Sequence, residues 1–211
     1  MKQPNFYQEN KLRKRGFRFI AGLDEAGRGA WAGPIVAGAV IIEVDKVNKV
    51  DRVNGVLKGV KDSKLLTPKK REKFFEIIIR QVLDWSVGVV SEKVIDEIGI
   101  VKANKLAMKK ALENLSFKPD YVLIDGKINL NKLRIPSQSI IQGDTKVFSI
   151  ALASIIAKVW RDRIMIKLHE KYPYYGFAQH KGYGTKLHWK TIQKYKICPL
   201  HRKTFKPMKL M

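Results

Sequence analysis

The hydrophobic pattern along the chain predicts strands first and helices later. Phe17 to Asp24 (FRFIAGLD) and Pro34 to Val44 (PIVAGAVIIEV) are apolar and β-branched, as buried strands are. A glycine-rich turn, EAGRG, lies between them. Residues 45 to 60 are mixed, with short strand character and a loop. Thr67-Pro68 opens a helix, Thr as N-cap and Pro at the first position, with apolar residues at Phe74, Phe75, Ile78 and Val82. Trp85 to Ser91 reads as a strand, 92–98 and 101–115 as helices, and Tyr121 to Asp125 (YVLID) as a short buried strand. Ser139 to Gln142 predicts a minimal strand. Thr145 to Lys171 predicts a long helix, largely buried, with Ser154, Lys158, Arg161 and Asp162 as a narrow polar stripe. Residues 173 to 211 are aromatic and basic, with a helix near Leu187 to Tyr195, and residues 1 to 16 read as a short basic helix or a loose arm. Strands that precede strands alternating with helices imply an α/β layer fold with a mixed sheet.

Composition narrows this picture. The chain has 211 residues, the size of one domain, so 17–211 is taken as a single unit after a basic arm over 1–16. Hydrophobic residues make up 45%, which supports a folded core and excludes wholesale disorder. The net charge of +23 points to a polyanionic partner, most often nucleic acid. Basic residues are spread from Lys11 to Lys209, which suits a surface that tracks a phosphate backbone and binds less tightly as salt rises. The longest uncharged stretch, Gly29 to Ile42, is shorter than the roughly 18 to 20 apolar residues of a membrane span, and no basic helix has a large apolar face. The N-terminus lacks the apolar run of a secretory signal. The single cysteine, Cys198, permits no internal disulfide and no multi-thiolate zinc site, and reads as a structural thiol in a reducing cytoplasm.

In a chain with only 19 acidic residues, carboxylates beside glycine turns at strand ends are informative. They are Asp24-Glu25 before Gly27-Arg28-Gly29, Asp125 before Gly126, and Asp144 in QGDTK. Together they offer oxygen ligands for Mg²⁺ or Mn²⁺. Two such ions would balance four carboxylates, let a phosphate approach, and stabilise the attacking and leaving oxygens of phosphodiester hydrolysis. Plainer roles compete. Asp144 stands where a helix N-cap is expected, Asp125-Gly126 could be a turn, and Arg28 could neutralise one member of the acidic pair. Asp162, between Arg161 and Arg163 and four residues after Lys158, looks like a salt-bridge residue. Gly27-Arg28-Gly29-Ala30-Trp31-Ala32 fits a loose dinucleotide fingerprint, but a strand follows where a helix is required. Lys64 of Asp62-Ser63-Lys64 could hold a phosphate as a point charge or belong to a polar loop. His169, His180, His188 and His201 lack zinc spacing and read as surface or phosphate-contacting residues. Tyr172 to Gly184 interleaves aromatic and basic residues, for stacking on sugars and bases or for packing a loop on the core.

Five segments in order, GLDEAGRGAWAGPIVAGAVI, DSKLLTPKKRE, YVLIDG, GDTKVFSIALASIIAKVWRDR and HKGYGTK…PLHRKTF, resemble those of bacterial type 2 ribonuclease H, ribonuclease HII. The likeness runs from about residue 17 to 207. It implies a ribonuclease H-like fold, a central mixed β-sheet flanked by helices, with a C-terminal helical extension from about 173 to 211. It implies a cytoplasmic, monomeric endoribonuclease of ribonucleotide excision repair. Such an enzyme cleaves the RNA strand of RNA–DNA hybrids and incises 5′ of single ribonucleotides in duplex DNA, leaving 3′-hydroxyl and 5′-phosphate ends. Carried over by motif, Asp24, Glu25, Asp125 and Asp144 hold two Mg²⁺ or Mn²⁺ ions, which selects Asp144 over Asp162. Gly27, Arg28 and Gly29 resemble the reader of the 2′-hydroxyl, Tyr183 the tyrosine that stacks at the RNA–DNA junction, and Lys64 a phosphate contact. Ala30-Trp31 departs from the Pro-Leu of many members, and Gly184 from a Pro in some. The type 3 relatives carry an extra N-terminal substrate-binding domain that has no counterpart among these segments. The C-terminal FKPMKLM is the candidate segment for a sliding-clamp protein. The rival is a non-catalytic nucleic-acid-binding protein, which needs the charge and the aromatic loop but not the carboxylates.

Overall fold

Five strands form one sheet in the order β3-β2-β1-β4-β5. The computed structural model describes residues 3–46, 66–130 and 133–210. β1 (Phe19–Ala26) pairs antiparallel with β2 (Ile35–Glu43), and β2 pairs antiparallel with β3 (Asp84–Val90). On its other side β1 runs parallel to β4 (Tyr121–Asp125), which runs parallel to β5 (Ser137–Ile140). The sheet is therefore mixed, as expected. The last strand lies earlier than Ser139 to Gln142, because Ser137 to Ile140 pair with Val122 to Asp125 and the chain then turns. Residues 47–65, with much of the expected 45–60 loop and Asp62-Ser63-Lys64, lie outside the described residues.

The helices among the described residues are α1 (Tyr7–Arg13), α2 (Pro68–Gln81), α3 (Glu92–Ile98), α4 (Ile100–Glu113), α5 (Phe148–Lys171), α6 (Phe177–His180) and α7 (Lys186–Tyr195). Thr67 caps α2 through its hydroxyl, which accepts from the Lys70 N–H, with Pro68 in the first turn. Strand alternation sorts the apolar residues onto two faces. Ile20, Val40 and Leu123 face α5 and Phe75 and Ile78 of α2. Ala21, Leu23, Ala39, Val122 and Ile124 face Ala103, Ala107, Met108 and Ala111 of α4. A third cluster joins Met165 on the far half of α5 to Tyr175, Phe177, Cys198 and Leu200. The aromatic stretch from Tyr172 thus packs partly as core, with Tyr174 left exposed. No helix among the described residues is long and apolar enough to cross a membrane.

The long helix lies unusually close to the sheet. A Cβ on Gly22 of β1 would overlap the Ser149 carbonyl group, and one on Gly38 of β2 would overlap the Ala153 carbonyl oxygen. Backbone, unlike a side-chain tip, cannot move aside cheaply. Gly22→Ala is therefore expected to destabilise the fold by about 2 kcal/mol or more, read from the denaturant midpoint. An unchanged midpoint would mean that α5 lifts off β1 freely.

Candidate active site

β1 and β4 end side by side. Their parallel register pairs Leu23 with Ile124, so the next step sets Asp24 beside Asp125. Period-two alternation turns Asp24, with Ile20 and Gly22, toward α5, and turns Asp125 the same way with Leu123. Asp24 is buried. Its Oδ1 accepts the Glu25 N–H at 2.7 Å, and its carboxylate takes a hydrogen bond from Ser154 of α5. Asp125 Oδ1 accepts the Gly143 N–H at 2.6 Å. That bond ties the end of β4 to the turn that carries Asp144. A Cβ on Gly143 would lie 2.6 Å from Ile150 Cδ1 and 3.2 Å from Asp125 Oδ1, so the turn closes only over glycine. Gln142, just before it, adopts the left-handed conformation at φ 56°, a strained state for a non-glycine residue.

Asp144 does not cap the long helix. It sits, buried, in a 3₁₀ turn over Gly143–Thr145, and α5 starts only at Phe148, with Val147 as an N-cap that has no side-chain bond. Lys146 and Val147 both donate to the Gly143 carbonyl, which tightens the turn and delays the helix. Asp162, in contrast, is engaged by Lys158 Nζ at 2.7 Å and Arg71 Nη2 at 3.7 Å, as its flanking charges suggest.

Burial and the nearby charges of Glu25, Asp125 and Asp144 together hold the Asp24 carboxyl well above the usual carboxylate range, against the pull of Ser154. Acidic residues from three separate segments, Asp24-Glu25, Asp125 and Asp144, are thus neighbours in space. Yet among the described residues no three His, Cys, Asp or Glu side chains are arranged as a finished metal cage. The two facts are compatible: Asp24 and Asp125 each commit one oxygen to a backbone N–H, at 2.7 and 2.6 Å. An all-oxygen set of mutually repelling carboxylates fits a hard divalent cation, which would relieve the repulsion.

Beside this cluster stands the glycine turn. Gly27 has φ 89°, and a Cβ there would overlap the Arg161 guanidinium. Arg28 is exposed, with Nη1 3.9 Å from Glu25 Oε1, so the neutralising contact exists at its outer limit. Arg161, fully buried, donates to the carbonyls of Pro34, Ala32 and Lys181 at 2.9, 3.1 and 2.9 Å. Its guanidinium lies 5.1 Å from the centre of the Tyr183 ring. Arg202, also buried, donates to the carbonyls of Gly33 and Arg28 at 3.0 Å each. Trp31 N–H donates to Gly182 at 2.8 Å. Turn and Tyr183 are brought together by these bonds. The two departures from the family pattern also meet, since a Cβ on Gly184 would overlap the Trp31 indole.

Three histidines are not at the surface. His180, His188 and His201 are buried, with His188 Nε2 3.1 Å from His201 Nε2 and the His180 and His188 rings stacked at 4.2 Å. Desolvation pulls His188 down to about 3 and His201 to about 4, so they are neutral structural groups and not phosphate contacts. The bond between His188 Nδ1 and the Tyr183 carbonyl, at 3.0 Å, steadies the loop from behind. Cys198 is buried against His201 Nδ1 at 3.2 Å. A cleft of about 380 Å³ opens beside Tyr183, lined by Arg71, Lys158, Asp162, Lys181 and Thr185 among others. Arg71, Lys181, Ser154 and Arg202 did not stand out in the sequence as site residues, although Ser154 lies on the polar stripe of the long helix. Lys64 lies outside the described residues.

The profile of the ribonuclease HII family matches residues 21–208. Ribonuclease HII of Caldicellulosiruptor bescii is 50% identical over 202 residues, covering 95% of this chain and 93% of the relative. Among solved structures, the ribonuclease H2 of Pyrococcus horikoshii OT3 superposes with a TM-score of 0.75 at 31% identity, covering 91% of this chain and 96% of that one. A ribonuclease HII of Archaeoglobus fulgidus, solved in complex with PCNA, superposes with a TM-score of 0.71 at 28% identity over 89% and 95%.

Asp24→Asn keeps the side-chain acceptor for Glu25 N–H and Ser154 but removes one charge from the cluster. The raised carboxyl of Asp24 favours the fold below its unfolded value near 3.8 and loses that contribution as pH rises through its folded value. The variant, without divalent metal, is therefore expected to be more stable than the wild type near pH 8, by at least about 1 kcal/mol, with the difference shrinking toward pH 4. Thermal melts across that range check it, and a variant less stable at pH 8 contradicts the repulsion.

Proposed function

The chain belongs to the ribonuclease HII family, endoribonucleases that act on RNA–DNA hybrids, and we propose that it also incises 5′ of single ribonucleotides in duplex DNA. The products are 3′-hydroxyl and 5′-phosphate ends. The observation that supports a catalytic centre most is the convergence of Asp24, Glu25, Asp125 and Asp144, felt by Asp24 as a raised carboxyl. These four residues would hold two Mg²⁺ or Mn²⁺ ions. Such ions, when bound, supply Lewis-acid stabilisation of the attacking and leaving oxygens.

The chain's own residues do the rest. Ser154 and the Glu25 N–H hold the Asp24 carboxylate, and the Gly143 N–H holds Asp125. The Gly27-Arg28-Gly29 turn presents bare backbone groups at close range to the sugar, where a 2′-hydroxyl separates RNA from DNA. Tyr183, half-buried with Arg161 and Lys158 about its ring at 5.1 and 5.3 Å from the centre, is assigned stacking on the junction sugar by its resemblance to the family tyrosine. Arg71, Lys158 and Lys181 line the adjoining cleft and suit a phosphate backbone. Lys64 is assigned a phosphate contact on family resemblance alone. We further assign the enzyme to the cytoplasm as a single catalytic domain over 17–211, acting as a monomer in ribonucleotide excision repair. A sliding clamp is assigned to the C-terminal segment, where Leu210 is exposed.

A gel assay with single-ribonucleotide, hybrid and all-DNA duplexes, with and without Mg²⁺, tests the reading. Cutting of the first two only, and only with metal, is expected; cutting of all three would leave a nuclease without ribose selectivity. Asp125→Asn should lower cleavage by at least ~100-fold, the scale of losing one transition-state stabiliser, and leave duplex binding within a few-fold. A variant that cuts at the wild-type rate removes Asp125 from the centre. Tyr183→Ala should slow incision at a lone ribonucleotide by about 10-fold, the worth of one aromatic stack, with less effect on long hybrids. Equal losses on both substrates would take Tyr183 out of junction recognition.

A further inference from the structure

The long helix α5 begins without a cap of its own. Val147 has no side-chain oxygen to offer, so the first N–H groups of the helix need partners from elsewhere. The N-terminal segment supplies them. Phe148 N–H donates to the Asn5 carbonyl at 3.1 Å, and Ser149 N–H donates to Glu9 Oε1 at 2.9 Å. Ser149 Oγ donates to the same Glu9 oxygen at 2.9 Å. Asn5 N–H in turn donates to the Lys146 carbonyl at 3.1 Å, so Asn5 grips both sides of Val147. Phe6 packs on Phe148 with ring centres 4.3 Å apart, and Leu12 enters the core.

The gripped point is close to the chemistry. Asp144 lies in the turn that leads directly into Val147, and Ser149 is the residue that abuts Gly22, two positions before Asp24. A segment at the other end of the chain therefore fastens the junction between the Asp144 turn and the Asp24 strand. Glu9 is an expensive way to do so. It is fully buried with Oε2 unpartnered, and burial pushes its carboxyl up to about 7. A buried acid with a free oxygen is poor value for folding alone, whereas a directional acceptor at a helix start fixes position.

We propose that residues 5–9 form an in-chain clamp on the start of the long helix, with Glu9 as a positioning residue for the active-site carboxylate Asp144. The inference rests on the reading of Asp144 as part of the catalytic centre. Glu9 touches neither substrate nor metal; it acts through Ser149 and the turn. Gln at position 9 keeps an acceptor at the same place, while Ala removes it.

Glu9→Ala and Glu9→Gln, assayed as full-length chains well below their melting temperatures, separate this role from general stability. With the single-ribonucleotide duplex, Glu9→Ala is expected to lower kcat about 10-fold, to raise the Mg²⁺ concentration for half-maximal rate, and to leave KM within two-fold, the pattern of a disturbed support behind a metal-binding group. Hydrogen exchange of the Phe148 and Ser149 amides, measured without metal, should speed up in parallel. Glu9→Gln should restore kcat, metal dependence and exchange to near wild type. An unchanged kcat and metal dependence in Glu9→Ala overturns the proposal, even if the melting temperature falls. A rise in KM alone also overturns it, because the segment would then serve substrate binding. Should Glu9→Ala not fold, Ser149→Ala removes the hydroxyl half of the contact and is expected to show a smaller loss in kcat of the same kind; no loss overturns the proposal. A wild type that does not cut, with exchange still controlled by Glu9, would instead defeat the functional reading and leave the clamp standing.

Discussion

Mutual repulsion of carboxylates is the constraint around which this molecule is built. Two unit charges 4 Å apart cost about 4 kcal/mol at the effective dielectric typical of pairs near a protein surface, and Asp24 is deeper than that. Nothing local would hold Asp24, Glu25, Asp125 and Asp144 in company. The parallel ladder of β1 and β4 sets two of them side by side, and the Gly143 N–H draws the third segment onto Asp125. The close seating of α5 on Gly22 and Gly38 prevents the cluster from relaxing outward, because the helix that carries Ser154 cannot be pushed off the strands it touches. The cluster is therefore kept by the core and by its hydrogen bonds, and the repulsion among its charges works against it.

The positive charges that matter most to the site are used for architecture. Arg161 and Arg202 are fully buried, and the hydrogen bonds described above run to backbone carbonyls of Arg28, Ala32, Gly33, Pro34 and Lys181. Burial pulls Arg202 down to about 9, still well above neutrality, so it stays charged. A guanidinium suits this task because its planar donors reach several carbonyls at fixed angles, which a lysine could not do. Arg202 thus holds the glycine turn at the Arg28 carbonyl, while Arg161 ties the segment that follows it to the Tyr183 loop at the Lys181 carbonyl. Exposed basic residues are left to meet an anion, while the buried ones set the shape it meets.

What the sequence revealed and what it hid divide along locality. The strands at β1, β2 and β4 announce themselves as apolar runs, and Thr67-Pro68 announces a helix start, because those signals are carried by neighbouring residues. The acidic residues before Gly27 and Gly126 were legible as site candidates for the same reason. The start of α5 was not. Its pattern continues back to Thr145, yet the helix waits until Phe148 because its cap comes from Asn5 and Glu9. The histidines misled in the same way. A polar, basic neighbourhood suggested exposure, whereas His188 and His201 satisfy each other in a pocket assembled from the extension. Arg161 shared a polar stripe with Asp162 but points into carbonyls from Ala32, Pro34 and Lys181, a destination that no periodicity encodes.

The two halves of the site respond to protons in opposite directions. Asp24 has a raised carboxyl, so in the metal-free protein its cost to the fold falls as pH drops and the repulsion is neutralised. His188 and His201 have lowered values, so their contribution is present above the unfolded value near 6.5 and is lost as pH falls toward their folded values of about 3 and 4. Acid thus relaxes the carboxylate cluster while it loosens the support behind Tyr183. At neutral pH the histidines are uncharged and their network is fully paired along the Tyr183 carbonyl, His188 and His201. The pocket behind Tyr183 is at its firmest under the same conditions in which the carboxylates, short of neutralisation by protons, repel one another most. Protons relieve the carboxylate repulsion and, at lower pH, charge the histidine pocket, so the pH that eases one part of this region loosens the other.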